Sequence, residues 1–286
     1  MMVDVSVQSR GVGDRAGSSP EKHSYHIEAL ARGLAVLDAF SPQRPELTLR
    51  DVAEAASVTQ PSALRIGHTL IEAGYLVRNP ATKGYRLGPR MVAAALATLS
   101  AMPLPEIAEP YLLQLRDTTQ ETVKLAVPAG TDAVIVSYVP SRLRPPGDQF
   151  IGSSIPLYAG SLGRAILAWL PESTAGGILS RSVHQRYTAK TLTLSQVRKE
   201  LPVIRKRGYA LNDQATTTEH RAVAAPLLAP SGITVGAVNI SVSALRYSLS
   251  AIERHLAPEV VKTAQEISHV LPPSVLGAGW FPEESR

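Results

Sequence analysis

Two constellations in this 286-residue chain have residue types suited to holding an anion. The first is Gly160-Ser161-Leu162-Gly163, which opens an apolar run that ends at Pro171. A helix starting there leaves backbone N–H groups without intrahelical partners, and these groups and the helix dipole attract negative charge. Ser161 adds a hydroxyl, while Gly160 and Gly163 would let a ligand approach the backbone closely. The same residues also fit a plain helix start in which Ser161 is a cap and the glycines ease packing. Asn239 and Ser241 stand two apart in an alternating run, so they share one strand face, as pocket lining or as a mutually satisfied polar pair. A carboxylate leaving water needs several donors at once. The Leu162 and Gly163 amides, the Ser161 hydroxyl and the Asn239 amide could supply them. Arg142 and Arg144 add two cations that could meet a carboxylate or stay solvated in their loop.

The second constellation lies between residues 60 and 90. On a helix over 59–73, Ser62, Arg65, Thr69 and Glu72 share one face, with Gln60 at its start, and Ala63, Ile66, Gly67, Leu70 and Ala73 share the other. Small polar residues at a helix start, with a guanidinium that can pair bidentately with guanine or phosphate, are what a groove-reading helix needs. This segment carries Arg65, Arg78, Lys83, Arg86 and Arg90 against the single acid Glu72. Lys83 sits in a turn suited to contacting phosphate, and Arg32 on the first helix could add another such contact. A solvated helix face and a protein-binding winged module are the alternatives.

A catalytic reading also exists. Ala159-Gly160-Ser161-Leu162-Gly163 is one residue away from a serine hydrolase's G-x-S-x-G elbow, but Ala159 replaces the glycine that the tight turn needs. The seven histidines are scattered without metal-ligand spacing, so neither a metal nor another cofactor is expected. A non-DNA-binding interaction adaptor is a third possibility. The absence of cysteine excludes a disulfide framework, an iron–sulfur cluster and a thiol nucleophile, and it fits a reducing cytoplasm.

The elements that must position these residues follow from periodicity. With 44% apolar and 19% charged residues, the chain can bury substantial cores, and its length allows two domains. The net charge of +5 permits an anionic partner. No signal-peptide core opens the chain, and no run approaches the ~20 apolar residues that span a bilayer, so no membrane partner is expected. Residues 1–23 read as a disordered tail. A helix over 27–40 shows a stripe of Ile27, Leu30, Ala31, Leu34, Leu37 and Ala39. Thr48 caps a second helix, Thr59 a third that ends at Gly74, and two short strands around the turn 79–84 make a wing. Residues 24–89 therefore read as a winged helix-turn-helix and 90–104 as a linker helix. Residues 105–272 read as an α+β domain with an antiparallel sheet, and 273–286 as a Pro/Gly-rich tail. In the α+β domain, helices are expected over 106–118, 162–170, 194–207 and 251–270, the last with a Ser250/Glu253 capping box. Strands are expected over 122–127, 133–139, 222–228 and 233–242.

Four ordered segments resemble the isocitrate lyase regulator (IclR) family of bacterial transcription factors. They are Ala31-Arg32-Gly33-Leu34-Ala35-Val36-Leu37; Leu70-Ile71-Glu72-Ala73-Gly74-Tyr75 with Tyr85-Arg86-Leu87-Gly88-Pro89-Arg90; the segment from Ile155 to Ala168; and Arg207-Gly208-Tyr209-Ala210-Leu211. The resemblance covers about residues 27–270 and is nearest to the branch controlling aromatic-acid catabolism through protocatechuate and 4-hydroxybenzoate. It implies a cytoplasmic regulator binding double-stranded operator DNA. It further implies dimerisation through the linker region, dimers often pairing into tetramers, and a GAF-like C-terminal domain that binds a small effector such as an aromatic carboxylate. By the same resemblance, effector contacts fall on Ile155, Ser161, Leu162, Asn212 or Asp213, Ala222, Asn239 and Ser241, with Ile155, Leu162 and Ala222 as apolar walls. The chain departs from the family's usual pattern at Ala215, where an acid is expected, and at Glu219, which replaces a glycine.

Overall fold

The computed structural model describes residues 26–143, 149–273 and 275. The tail expected over 1–23, the residue Arg144 and nearly all of the tail expected over 273–286 lie outside the described residues. The chain divides into two compact units between Ala97 and Thr98.

In the first unit, α1 (Glu28–Asp38), α2 (Leu49–Ala55) and α3 (Gln60–Glu72) pack around Val36, Leu47, Val52, Ala53, Ala56, Ala63, Leu76 and Tyr85. Thr48 caps α2 in a full capping box: its side chain accepts from the Asp51 N–H, and the Asp51 carboxylate accepts from the Thr48 N–H. Thr59 stands at the N-cap of α3 but makes no side-chain bond to the backbone. Helix α3 stops where Gly74 takes φ +79°, which favours glycine. The wing is β2 (Leu76–Arg78) and β3 (Tyr85–Leu87), joined by β1 (Glu46–Leu47) in the order β1-β3-β2. Two residues are too few for periodicity to reveal β1. The apolar stripe expected on α1 faces the core only at its C-terminal end, where Leu37 and Ala39 pack against it. Ile27, Leu30 and Leu34 are each more than half exposed, while Val36 is fully buried. Helix α4 (Arg90–Ser100) likewise buries no residue, and Val92 and Leu96 are exposed.

The second unit is a six-stranded antiparallel sheet in the order β6-β5-β4-β9-β8-β7. Its strands are β4 (Thr122–Ala129), β5 (Asp132–Val139), β6 (Ser154–Pro156), β7 (Ala210–Asp213), β8 (His220–Leu228) and β9 (Thr234–Ser243). One face, with Val123, Leu125, Val223, Val238 and Ile240, packs against α5 (Pro103–Thr119) and α10 (Ala257–Val270). The other, with Ala126, Ile135, Ala224 and Ala237, packs against α6 (Ser161–Ala168), α7 (Glu172–Arg181) and α8 (Leu194–Arg207). This α+β architecture with an antiparallel sheet is the one expected from the alternating periods.

Several local expectations are corrected. Helix α5 starts at Pro103 rather than 106, because Pro at the first helical position costs no hydrogen bond, and Leu104 is already buried in this core. The C-terminal helix is capped by Ser248, which accepts from the Ala251 N–H, not by a Ser250/Glu253 box. It continues from α9 (Leu249–Ala251) through a π-helical turn over Ile252–Leu256 into α10. Leu271 and Val275 are buried, so the chain still packs beyond the expected end of the helix. Elements α7, β6 and β7 add to those expected.

Candidate DNA-binding and effector sites

On α3, Gln60, Arg65 and Thr69 are exposed and Ser62 is half-buried. Arg65 makes no salt bridge among the described residues, leaving its guanidinium available. The Thr69 hydroxyl instead donates back to the Arg65 carbonyl at 3.0 Å, and the Thr59 hydroxyl donates to the Ser62 oxygen at 3.3 Å. Arg32 pairs with Glu28 at 3.1 Å. Arg32 also lines, with the exposed Arg50 and with Thr59 and Ser62, a shallow cleft of about 740 Å³. Arg50 is a residue that sequence reasoning missed, because it sits on a different helix from the expected polar face. Lys83 projects from the wing turn at φ +61°. That turn is fixed by Glu46, which accepts from the Asn79 side-chain amide at 2.8 Å and from the Thr82 hydroxyl. The Thr82 and Asn79 hydrogen bonds hold the Glu46 carboxyl below its ordinary pKa.

In the second unit, the register of the sheet gathers polar residues onto the α6 face. Lys124, Asn239 and Ala224 are direct cross-strand neighbours, and the next row is Thr122, Ser241, Ala222 and Asn212. On the outer side, Lys124 pairs with Tyr138 of β5. Asn239 is 5% exposed, and its Oδ1 has no hydrogen-bond partner among the described residues; the Tyr138 hydroxyl is in the same position. The buried Lys124 donates to Gln149 Oε1 at 2.8 Å. Phe150 lies over Tyr138 with ring centres 5.8 Å apart. Lys124 and Tyr138 also escaped the sequence reading. The one available signal was a charge inside the apolar run Thr122-Val123-Lys124-Leu125-Ala126-Val127.

Helix α6 lies across β8 and β9 and is buried along its whole length. Its N-cap is Gly160, so Ser161 is the first helical residue rather than the cap. Ile155 packs over Gly160, and Leu162 joins the apolar cluster between α6 and the sheet. Gly163 has a different part from the one expected. Its missing side chain makes room for the Leu157 backbone, which a methyl group there would strike, and not for a ligand. Of the adjacent pair Asn212 and Asp213, only Asn212 joins the polar rows. Its side chain donates to Thr216 Oγ1 and accepts from the Ala215 N–H, both at 3.1 Å. Asp213 binds Lys190 at 2.7 Å and Arg221 at 2.6 Å. Burial pushes the Asp213 carboxyl up, but these two partners outweigh it and hold it below the ordinary range. Arg142 is exposed, with its Nε 3.7 Å from Asp117.

Arg164 explains why two of the resembling segments occur together. It is 2% exposed and donates to the carbonyls of Gly160 and Leu211 at 3.3 and 2.6 Å, and to Glu200. Glu200 also accepts from Arg207 at 3.2 Å, and Arg207 donates to the Tyr209 carbonyl. The α6 start and the 207–211 segment are therefore tied through one buried guanidinium. Its burial pushes the Arg164 pKa down against the opposing pull of Glu200.

A winged helix with an unpaired arginine on its third helix, carried in one chain with a separate α+β unit, defines a DNA-binding regulator of transcription. The chain belongs to the IclR family: the family's helix-turn-helix domain matches residues 29–80, and the bacterial transcriptional regulator IclR C-terminal domain matches residues 96–269. It is similar to the Pca regulon regulatory protein of Pseudomonas putida, with 29% identity over 248 residues, 86% of this chain and 84% of that one. The p-hydroxybenzoate hydroxylase transcriptional activator of Acinetobacter baylyi is 28% identical over 253 residues, 86% and 92% of the two chains. An IclR family transcriptional regulator from Brucella abortus superposes with a TM-score of 0.75 at 25% identity, covering 90% of this chain and 97% of that one. These findings set aside the serine hydrolase and adaptor readings. Among the described residues, no single helix is long and apolar enough to cross a membrane.

Proposed function

We propose that this regulator acts in the cytoplasm as a homodimer, or as a pair of dimers, on double-stranded operator DNA, and that a small organic anion sets its operator affinity. The anion is an aromatic carboxylate or a derivative of one, held between the start of α6 and the Asn239/Ser241 rows. The observation that carries this reading is the buried Asn239 Oδ1 without a partner, one strand from the buried Lys124. A buried acceptor left unpaired costs about 1–3 kcal/mol, so a ligand that offers it a hydroxyl or amide hydrogen is rewarded. The Lys124 ammonium, the Ser161 hydroxyl and the first-turn amides of α6 would hold the carboxylate. Ile155, Leu162 and Ala222 would wall the ring. The name of one relative, a p-hydroxybenzoate hydroxylase transcriptional activator, supports the same reading. Exposed Ile27, Leu30 and Leu34 on α1, with Val92 and Leu96 on α4, supply apolar surface for dimerisation.

Calorimetry with 4-hydroxybenzoate and 4-hydroxybenzamide tests the site. Ser161→Ala and Asn239→Ala should each weaken binding of the acid by about 5- to 150-fold, equivalent to ~1–3 kcal/mol for one lost donor or acceptor. Unchanged affinity in both variants would place the pocket elsewhere, and tighter binding of the amide than of the acid would reject the anionic character.

A further inference from the structure

Away from the Asn239 rows, the second unit has a cleft of about 680 Å³ between α6, α8, the edge strand β7 and the segment 184–193. It is as large as sites that hold metabolite-sized ligands. Its charges do not balance. Glu200 is shared by two guanidinium groups, Arg164 and Arg207, whose side chains are 3% and 24% exposed. Asp213 is likewise shared by Lys190 and Arg221. Arg186, exposed at the cleft, has no carboxylate within salt-bridge distance among the described residues. Four cations at the cleft, Arg164, Arg186, Lys190 and Arg207, thus meet two carboxylates, Glu200 and Asp213, and Asp213 is shared further with Arg221 outside the lining; Arg164 is the one held where water screens it poorly. Such a surplus favours an anion of more than one charge.

We infer that this cleft is a second ligand site, separate from the one proposed at Asn239, and that it takes a small polyvalent anion, either a di- or tricarboxylate or a phosphate ester. Arg186 and Lys190 are the flexible cations that would contact it, above a floor made by Arg164 and Arg207. Occupancy would be felt at the start of α6, because Arg164 also binds the Gly160 carbonyl. It would be felt at β7 too, where Asp213 directly follows Asn212. The cleft would therefore modulate the response to the first ligand through shared elements.

Calorimetry on the full chain with citrate and with inorganic phosphate, against sodium chloride at equal ionic strength, tests the inference. Saturable binding of at least one polyvalent anion is expected, and the tighter of the two identifies the carboxylate or the phosphate source. Arg186→Glu, and separately Arg186→Ala with Lys190→Ala, should weaken it at least about tenfold while circular dichroism stays unchanged. Ser161→Ala should leave it intact, even if the proposal for the Asn239 site fails. Heats that match those of sodium chloride would overturn the inference. So would an affinity unchanged by Arg186→Glu, or one lost only in Ser161→Ala.

Discussion

Arg65 and Lys83 are both exposed cations, and the proposed function gives them different work. Arg65 projects from the middle of α3 without an acid partner among the described residues, so it can make a bidentate contact to a base edge. Arg65→Ala should cost ~1–3 kcal/mol on the cognate operator and less on random DNA, as a gel-shift comparison would read. Lys83 stands on a wing turn pinned by Glu46, a setting that suits a phosphate contact more than a base contact. Its loss should weaken every sequence alike and flatten the logarithmic salt dependence by about one unit. An Arg65→Ala protein that kept full selectivity would remove α3 from the reading role. The residue types on α3 were visible from spacing alone. What spacing hid was the back-bonding of Thr69 and the approach of Arg50 from α2, since neither follows from a one-dimensional period.

The elements show where periodicity succeeds and where it stops. Helices α3 and α8, with strong amphipathic patterns and clear ends at Gly74 and Gly208, fall where the sequence places them. Strands β4, β5, β8 and β9 follow from their apolar alternation. The failures have physical causes. The stripe on α1 is genuine, yet an apolar face does not say what covers it, and here the core takes Val36 with Leu37 and Ala39 while Ile27, Leu30 and Leu34 stay exposed. Strands β1, β6 and β7 have two to four residues, too few to show a period. The polar rows depended on cross-strand register, which brings Lys124 beside Asn239 from 115 residues away in sequence. Gly160 and Gly163 look equivalent in the sequence and are not equivalent in the fold. Gly163→Ala would drive a methyl group into the Leu157 backbone and should destabilise the second unit by ~1–3 kcal/mol or more in thermal unfolding. Gly160→Ala meets only the Ile155 side chain at ordinary contact distance and should cost well under 1 kcal/mol of packing strain. Equal costs for both would show that α6 does not approach Leu157 so closely.

In the proposed function, the sites for DNA and ligand fall on opposite sides of the division between Ala97 and Thr98, so ligand control would be a coupling free energy between distinct sites. The charge surplus on 60–90 and the buried polar rows of the second unit make separate predictions. Variants in the rows should leave basal operator affinity alone, and variants on α3 should leave ligand affinity alone. Two of the four segments that carry the family resemblance, 155–168 and 207–211, are joined in the fold by the hydrogen bonds of Arg164 and Glu200, so those two motifs report architecture more than specificity. In the proposed function, specificity falls to Lys124, Tyr138 and Asn239, which no motif marks. Fluorescence anisotropy of DNA from the promoter of this chain's own gene, with and without 4-hydroxybenzoate, tests that coupling. The parent's affinity should change at least about fivefold on adding the acid. Asn239→Ala should bind the free DNA as the parent does and show no change. A parent indifferent to the acid, or an Asn239→Ala protein responding as fully as the parent, would contradict the account.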